Sequence, residues 1–251
     1  MLNATQRERY QRQIVIPPVG EEGQERILRS RVLVVGVGGL GSPAAYYLAA
    51  AGVGFLGLVD GDVVSESNLQ RQIIHSTSTL GVRKVESAAA RVRELNPGVT
   101  VRTYEGPLTR GNAPDLVRQY DVVLSCLDNM EARYALNDAC VAERKPFVEG
   151  GVMRFNGLAT TVVPGVSPCY RCIFPETPRE GMMTPAQAGV IGPAPGVIGS
   201  VQAVEAIKII LGIGDLLTGR LLLIDLLGGS FREVSVQRNP SCPACGGMTA
   251  G

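Results

Sequence analysis

Arg31-Val32-Leu33-Val34-Val35-Gly36-Val37-Gly38-Gly39-Leu40-Gly41-Ser42-Pro43 joins a short apolar, β-branched run to a glycine-rich turn and then to a helix start. Residues 31–35 have the length and composition of a strand. Ser42 is a good N-cap and Pro43 suits a first helical position, which predicts a helix over 43–51 stopped by Gly52. A strand, a glycine turn and a helix N-terminus in that order put free backbone N–H groups where phosphate oxygens can meet them. Asp60 closes the next apolar run, 55–59, where an acid can bond ribose hydroxyls.

The same alternation continues outward. A helix is predicted near 82–95, ended by Asn96-Pro97-Gly98, with strands at 100–104 and 122–125, a helix at 131–143 and a strand from 146. Strands alternating with helices argue a doubly wound, mostly parallel α/β sheet with helices on both faces, a Rossmann-like architecture. After residue 150 the texture changes. A strand at 158–163 precedes a loop rich in Pro, Gly and Met that hinges at Pro195-Gly196 into a helix over 197–211. In that helix Val197, Val201, Val204, Ile207 and Leu211 form the apolar stripe, while Gln202, Glu205 and Lys208 lie elsewhere. Closing strands follow at 221–226 and 233–237, which makes the C-terminal part of the sheet antiparallel. Residues 1–30 read as a charged helical arm broken at Pro17-Pro18, and 31–251 as one domain.

Composition narrows the classes. The 251 residues are 45% hydrophobic and 5% aromatic, with no Trp and a formal net charge of +1. That balance supplies no field to recruit nucleic acid or an anionic membrane. The charged first 30 residues do not read as a signal peptide, and no apolar run approaches the ~20 residues of a membrane span. The expectation is a cytoplasmic protein.

Between strands two and three lies Asp60-Gly61-Asp62-Val63-Val64-Ser65-Glu66-Ser67-Asn68-Leu69-Gln70-Arg71-Gln72, followed by Lys84. Asn68, Arg71 and Gln72 share one face at helical spacing. An amide, a guanidinium and an ammonium could together hold three phosphates, the donors that nucleotidyl transfer needs; a solvated helix face has the same spacing. Asp128 follows the fourth strand, where open α/β sheets bind ligands. It suits Mg²⁺ on phosphates, or an N-cap of the helix after it. On the glycine motif alone an NAD- or FAD-dependent oxidoreductase is the more frequent reading.

Cys169-x-x-Cys172 and Cys242-x-x-Cys245 are two identical knuckles, and four thiolates suit a closed, structural tetrahedral Zn²⁺ site that ties the C-terminus to the region after 150. Cys126 and Cys140 read as packed thiols. His75, the only histidine, reads as an ordinary loop residue.

Taken together these segments resemble the MoeB/ThiF family, bacterial relatives of ubiquitin-activating enzymes. The resemblance runs from about Arg9 to Gly246. It rests on Arg9-Tyr10-Gln11-Arg12-Gln13, Gly36 to Gly41, Asp60-Gly61-Asp62, Ser67 to Gln72, Lys84 to Ala88, Asp128-Asn129, Pro168 to Cys172, Gly196 to Ser200 and the last Cys pair. It implies adenylation, with ATP and Mg²⁺, of the C-terminal Gly-Gly carboxylate of a small ubiquitin-like sulfur carrier protein, giving an acyl-adenylate and pyrophosphate. It further implies that Gly38, Gly39 and Gly41 line the phosphate loop. Asp60 and Asp62 serve the nucleotide, with Asp60 on the ribose, and Asn68, Arg71, Gln72 and Lys84 hold the triphosphate. Asp128 binds the metal. Arg12 reaches the other subunit's phosphates, so a homodimer is implied. Many relatives carry a loop Cys where this chain has Pro185, so no loop thioester is expected. The adenylate then passes to a separate sulfur donor, a sulfurtransferase or cysteine desulfurase. Adenylation of a peptide or a modified tRNA base, both known in relatives, is the alternative within the family. A non-catalytic zinc-stabilised scaffold is the other reading, weakened because Arg71, Lys84 and Asp128 remain. The 176–195 loop reads either as a cover over the bound tail or as plain disorder.

Overall fold

A computed structural model describes residues 1–175 and 185–248. Three short helices, α1 (Ala4–Arg9), α2 (Gln11–Ile14) and α3 (Gly20–Arg29), precede the first strand. The parallel half then runs β1 (Arg31–Val35), α4 (Gly41–Ala51), β2 (Phe55–Asp60), α5 (Lys84–Leu95), β3 (Thr100–Glu105), α6 (Ala113–Val117), β4 (Val122–Ser125), α7 (Met130–Ala142) and β5 (Phe147–Met153). The rest is β6 (Asn156–Val162), α8 (Tyr170–Ile173), α9 (Pro185–Ala188), α10 (Pro193–Leu211), β7 (Arg220–Asp225) and β8 (Ser230–Ser235). One 8-stranded sheet has the order β3-β2-β1-β4-β5-β6-β7-β8. Its first five strands are parallel and its last three pair antiparallel. The strand order reverses between β1 and β4, the crevice where such sheets bind ligands.

Two apolar layers sandwich the sheet. On one face α4, α5 and α10 cover Val32, Val34, Leu56, Leu58 and Leu124. On the other, Leu33, Val35 and Val123 pack with Leu116, Tyr120, Leu136 and Cys140. The strands therefore read as continuous aliphatic runs, because both their faces are buried. The N-terminal helices lie against the end of α4. Gln13 and Gln24 donate to the Ala51 carbonyl at 3.1 and 2.9 Å, and Asn96 donates to the Tyr10 hydroxyl at 2.9 Å.

Three local expectations need correction. Ser42 is not an N-cap. Helix α4 begins at Gly41, and Ser42 Oγ donates to the Gly38 carbonyl at 2.6 Å, so the glycine turn runs directly into the helix. Pro195-Gly196 is not a hinge. Both lie in the first turn of α10, where a proline loses no helix bond because that N–H has no intrahelical acceptor. The stripe assigned to α10 needs a narrower correction: Val197, Val201 and Ile207 pack against the core and Leu211 is buried, but Val204 and the residues expected outside the stripe do not follow it. Gln202 and Glu205 are buried, whereas Val204 is 55% exposed. Gln202 Nε2 donates to the Ser125 and Val148 carbonyls at 2.8 and 3.1 Å, and Glu205 accepts from the Leu217 N–H at 2.8 Å. The helix is apolar on nearly every side, so spacing could not choose a face, and polar contacts to the sheet chose it. By length and composition α10 could cross a membrane, contrary to the expectation that no stretch comes close, but half of it is buried inside the fold. Of the Pro/Gly/Met loop, residues 176–184 lie outside the described residues.

Candidate active site

At the carboxyl ends of β1, β2 and β4 lies a cavity of about 950 Å³. Its floor is the glycine turn. Gly36 has φ +91°, and a Cβ there would stand 2.4 Å from the Cys126 carbonyl oxygen, so only glycine lets the turn pass this close to the end of β4. Asp60 fixes the turn from the side: its Oδ2 accepts from the Val37 N–H at 2.8 Å and its Oδ1 from the Asp62 N–H at 2.9 Å.

Gly38, Gly39, Asp60, Asp62, Arg71, Gln72, Lys84 and Asp128 all line this one space. Residues scattered from 36 to 128 meet there because each follows a strand end or a helix start. Lys84 opens α5 and is almost fully buried. Its Nζ donates to Asp62 Oδ2 at 2.7 Å, so Asp62 is the partner that holds the ammonium at the cavity wall. Arg71 is tied to its own turn by a 3.1 Å bond to the Ser67 carbonyl. Gln72 is buried beside Gly38, and its Oε1 has no hydrogen-bond partner.

Asp128 and Asn129 divide two roles that sequence left open. Asn129 caps α7 by accepting from the Ala132 N–H at 2.9 Å. Asp128 has no hydrogen bond among the described residues, so a carboxylate faces the cavity with its lone pairs available. A hard divalent cation fits that donor type.

Three residues of the expected site lie off the cavity wall. Asn68 turns its Oδ1 to the Ser65 N–H at 3.4 Å. Gly41 sits behind the turn, where a Cβ would stand 2.0 Å from the Gly36 carbonyl oxygen. Arg12 is exposed on α2 and makes no hydrogen bond or ion pair among the described residues.

Sequence reading missed Arg133 and the 106–111 segment, both of which line the cavity. Arg133 is buried. It donates to the Gly150 carbonyl at 2.9 Å and to the Leu127 carbonyl, and pairs with buried Glu149. Burial lowers its pKa, opposed by Tyr170, Cys126 and Asp128. One signal was present: a cation in the first turn of a helix opposes the helix dipole and calls for a partner. Cys126 also touches the cavity, but burial pushes its thiol up to about 12, so it stays protonated.

The other knuckle residues form a separate cluster. Cys169, Cys172, Cys242 and Cys245 bring their sulfurs within 4.8 Å of one another. Neighbouring pairs stand 4.0, 3.6 and 3.4 Å apart. Tetrahedral zinc with Zn–S bonds of ~2.3 Å requires sulfurs about 3.8 Å apart, so the set fits that ion. None of the four lines the cavity. The cluster is attached to α7 instead, through a 2.8 Å bond from the Tyr170 N–H to Asn137 and a two-bond Arg171–Asp138 pair.

Residues 10–244 match the ThiF family. The SAMP-activating enzyme E1 of Haloferax volcanii is 50% identical over 246 residues, covering 98% of this chain and 91% of that protein. The sulfur carrier protein adenylyltransferase of Thermus thermophilus is 47% identical over 245 residues, 95% and 90% of the two chains. The adenylyltransferase and sulfurtransferase MOCS3 of Sus scrofa is 50% identical over 240 residues; the match covers 95% of this chain but 53% of MOCS3. The crystal structure of E. coli MccB superimposes with a TM-score of 0.84 at 21% identity, covering 100% of this chain and 75% of that one, a likeness of fold. The chain belongs to the ThiF family, and is an ATP-dependent adenylyltransferase.

Proposed function

We propose that this enzyme adenylates the C-terminal Gly-Gly carboxylate of a small ubiquitin-like sulfur carrier protein. The observation that carries the reading is the convergence of the glycine turn, Arg71, Lys84 and Asp128 on one cavity. That set neutralises a polyphosphate and leaves the reacting α-phosphorus open to an incoming tail. The names of the two relatives that match nearly end to end point to the same substrate class.

The chemistry needs no general base. A chain-terminal carboxylate is ionised at pH 7 and is its own nucleophile. One of its oxygens forms a bond to the α-phosphorus of ATP, the bond from that phosphorus to the bridging oxygen breaks, and pyrophosphate leaves with the electron pair. The turn amides and the N-terminus of α4 face the phosphates, Arg71 and Lys84 offset the charge of the leaving pyrophosphate, and Gln72 lies on the same wall beside Gly38. Asp60 receives the ribose. Asn68 serves indirectly by shaping the turn that carries Arg71. Asp128 is the residue to hold Mg²⁺, whose charge would draw the phosphates together and ease departure of pyrophosphate.

Arg12 makes no hydrogen bond or ion pair among the described residues, and we assign it to the neighbouring subunit's phosphates in a homodimer. Pro185 stands where a loop thiol would be needed. The other cysteines are either packed or in the zinc set, so the product is the acyl-adenylate, handed to a separate sulfur donor. Clustered thiols available as metal ligands suit a reducing compartment, which supports a cytoplasmic enzyme.

ATP–pyrophosphate exchange tests this. Exchange should require a protein ending in Gly-Gly, should vanish in Asp128→Ala with zinc content and circular dichroism unchanged, and should leave no reductant-sensitive adduct on the enzyme. Exchange with a free peptide or tRNA but not with any carrier would transfer the activity to the other carboxylates.

A further inference from the structure

His75 is the one histidine of the chain and the nucleotide reading above does not use it. It follows the Arg71-Gln72 turn, is 6% exposed, and does not line the cavity. Its surroundings are nevertheless all parts of the phosphate site. Its backbone N–H donates to the Gln72 carbonyl at 3.0 Å. Its ring reaches back across the fold, with Nε2 2.9 Å from the carbonyl oxygen of Val37, inside the glycine turn. Its Nδ1 stands 2.9 Å from Ser87 Oγ, one helical turn after Lys84 on α5. Thr79 Oγ1, 3.0 Å from Ser87 Oγ, fixes that hydroxyl in turn.

The tautomer follows from the partners. A carbonyl oxygen only accepts, so Nε2 carries the proton and donates to Val37. In the neutral ring Nδ1 is then the acceptor that faces the Ser87 hydroxyl, whose single proton it shares with Thr79 Oγ1. Val37 is thus held through both peptides that flank it: Asp60 accepts from the N–H of the Gly36–Val37 peptide at 2.8 Å, and His75 donates to the C=O of the Val37–Gly38 peptide. The peptide that His75 holds also carries the Gly38 N–H, and peptide planarity makes the direction of that N–H follow from the direction of the Val37 carbonyl. Preorganised donors of this kind act only while their geometry is held.

We propose that His75 is a positioning residue for ATP: its neutral Nε2–H tautomer locks the glycine turn, the Gln72 turn and the Lys84 helix into one phosphate-binding geometry. The charged groups facing it are Lys84 from α5 and Asp60 from the end of β2, and they act on the ring in opposite directions. The proposal rests on the ATP reading of the cavity and adds a residue that never touches the nucleotide.

The test is equilibrium binding of ATP with Mg²⁺, and of adenosine, to full-length protein without carrier. Adenosine lacks phosphates and reports the rest of the site. His75→Leu is expected to weaken ATP about tenfold while adenosine stays within about twofold, since one buried hydrogen bond and its turn are lost. His75→Gln, whose amide can still donate toward Val37, should restore most of the ATP affinity. Ser87→Ala should lower the ATP-to-adenosine ratio in the same direction, and it carries the test if His75→Leu does not fold. Equal losses for ATP and adenosine, or no loss for ATP in either His75→Leu or Ser87→Ala, would overturn the proposal while leaving the ATP site standing. Wild-type protein without ATP affinity overturns both.

Discussion

Gly41 has no space for a side chain, because the Gly36 carbonyl oxygen occupies the position its Cβ would take, 2.0 Å away. Gly41→Ala must push the turn outward. We expect a loss of about 1–3 kcal/mol in urea unfolding together with a much larger fall in ATP affinity, because the displaced segment is the one that faces phosphate. Retained nucleotide binding in a destabilised variant would separate the turn from the phosphates. His75 makes a second prediction at this scale. Burial is the main cause holding its pKa below the ordinary value, with Lys84 adding to it and the Val37 bond and Asp60 opposing. The folded state therefore favours the neutral ring. Its contribution is complete above the unfolded pKa of ~6.5 and fades as pH falls from there through the lower folded value. Thermal unfolding between pH 7.5 and 5.5 should show a steeper loss for wild type than for His75→Gln; parallel profiles would assign the acid loss to other groups.

Elements carry their functional side chains at their ends. Helix α7 is capped by Asn129, and one turn later Arg133 turns back into the fold to hold the Leu127 and Gly150 carbonyls beside Glu149. These bonds join the loop bearing Asp128 to β5. Breaking a buried pair leaves an uncompensated charge, so Arg133→Met should cost roughly 3–5 kcal/mol. Arg133→Met combined with Glu149→Gln should recover part of that, and a double-mutant cycle by chemical denaturation measures the coupling. Helix α10 shows why faces are harder to read than elements. Its bounds could be approached from Gly212 and from its apolar length. Its inward side depended on which neighbours Gln202 and Glu205 could find, and those lie 77 and 12 residues away in sequence.

Across the whole molecule we propose that the four-cysteine cluster holds zinc as a staple rather than as a catalyst. It closes 73 residues between Cys169 and Cys242 and stands apart from the cavity. Burial pushes the Cys169 and Cys172 thiols up, while at Cys245 burial is outweighed by hydrogen bonds from its neighbours, which lower the thiol, and a bound cation would stabilise all four as thiolates. Chelation should remove roughly 4 kcal/mol of loop-closure stabilisation, about 10 °C in Tm for a chain of this size. The parallel half of the sheet keeps its own core, so ATP affinity should survive chelation at 25 °C. At the same scale, mixing Arg12→Ala with Asp128→Ala protein should regenerate one intact site per mixed dimer and restore exchange toward about a quarter of wild type; no recovery would retire the cross-subunit role of Arg12.

By itself the sequence determined the order of the strands and of the long helices, the glycine turn, the two cysteine knuckles and the family, because these follow from local spacing and chain-neighbour chemistry; the short helices α6, α8 and α9 it did not show. It also named Gly38, Gly39, Asp60, Asp62, Arg71, Gln72, Lys84 and Asp128 on the cavity wall, since Asp60, Lys84 and Asp128 sit at or beside element ends and Arg71 and Gln72 lie in the polar turn between them. Only the tertiary structure decided that Asp62 holds Lys84, that Asn129 rather than Asp128 caps α7, that Asn68 faces its own turn, that Arg133 enters the cavity wall, and that His75 bonds back to the glycine turn. Those are partnerships between residues up to tens of positions apart. A buried polar group takes whichever partner the packed sheet and helices bring within hydrogen-bond distance, and no periodicity along the chain records that choice.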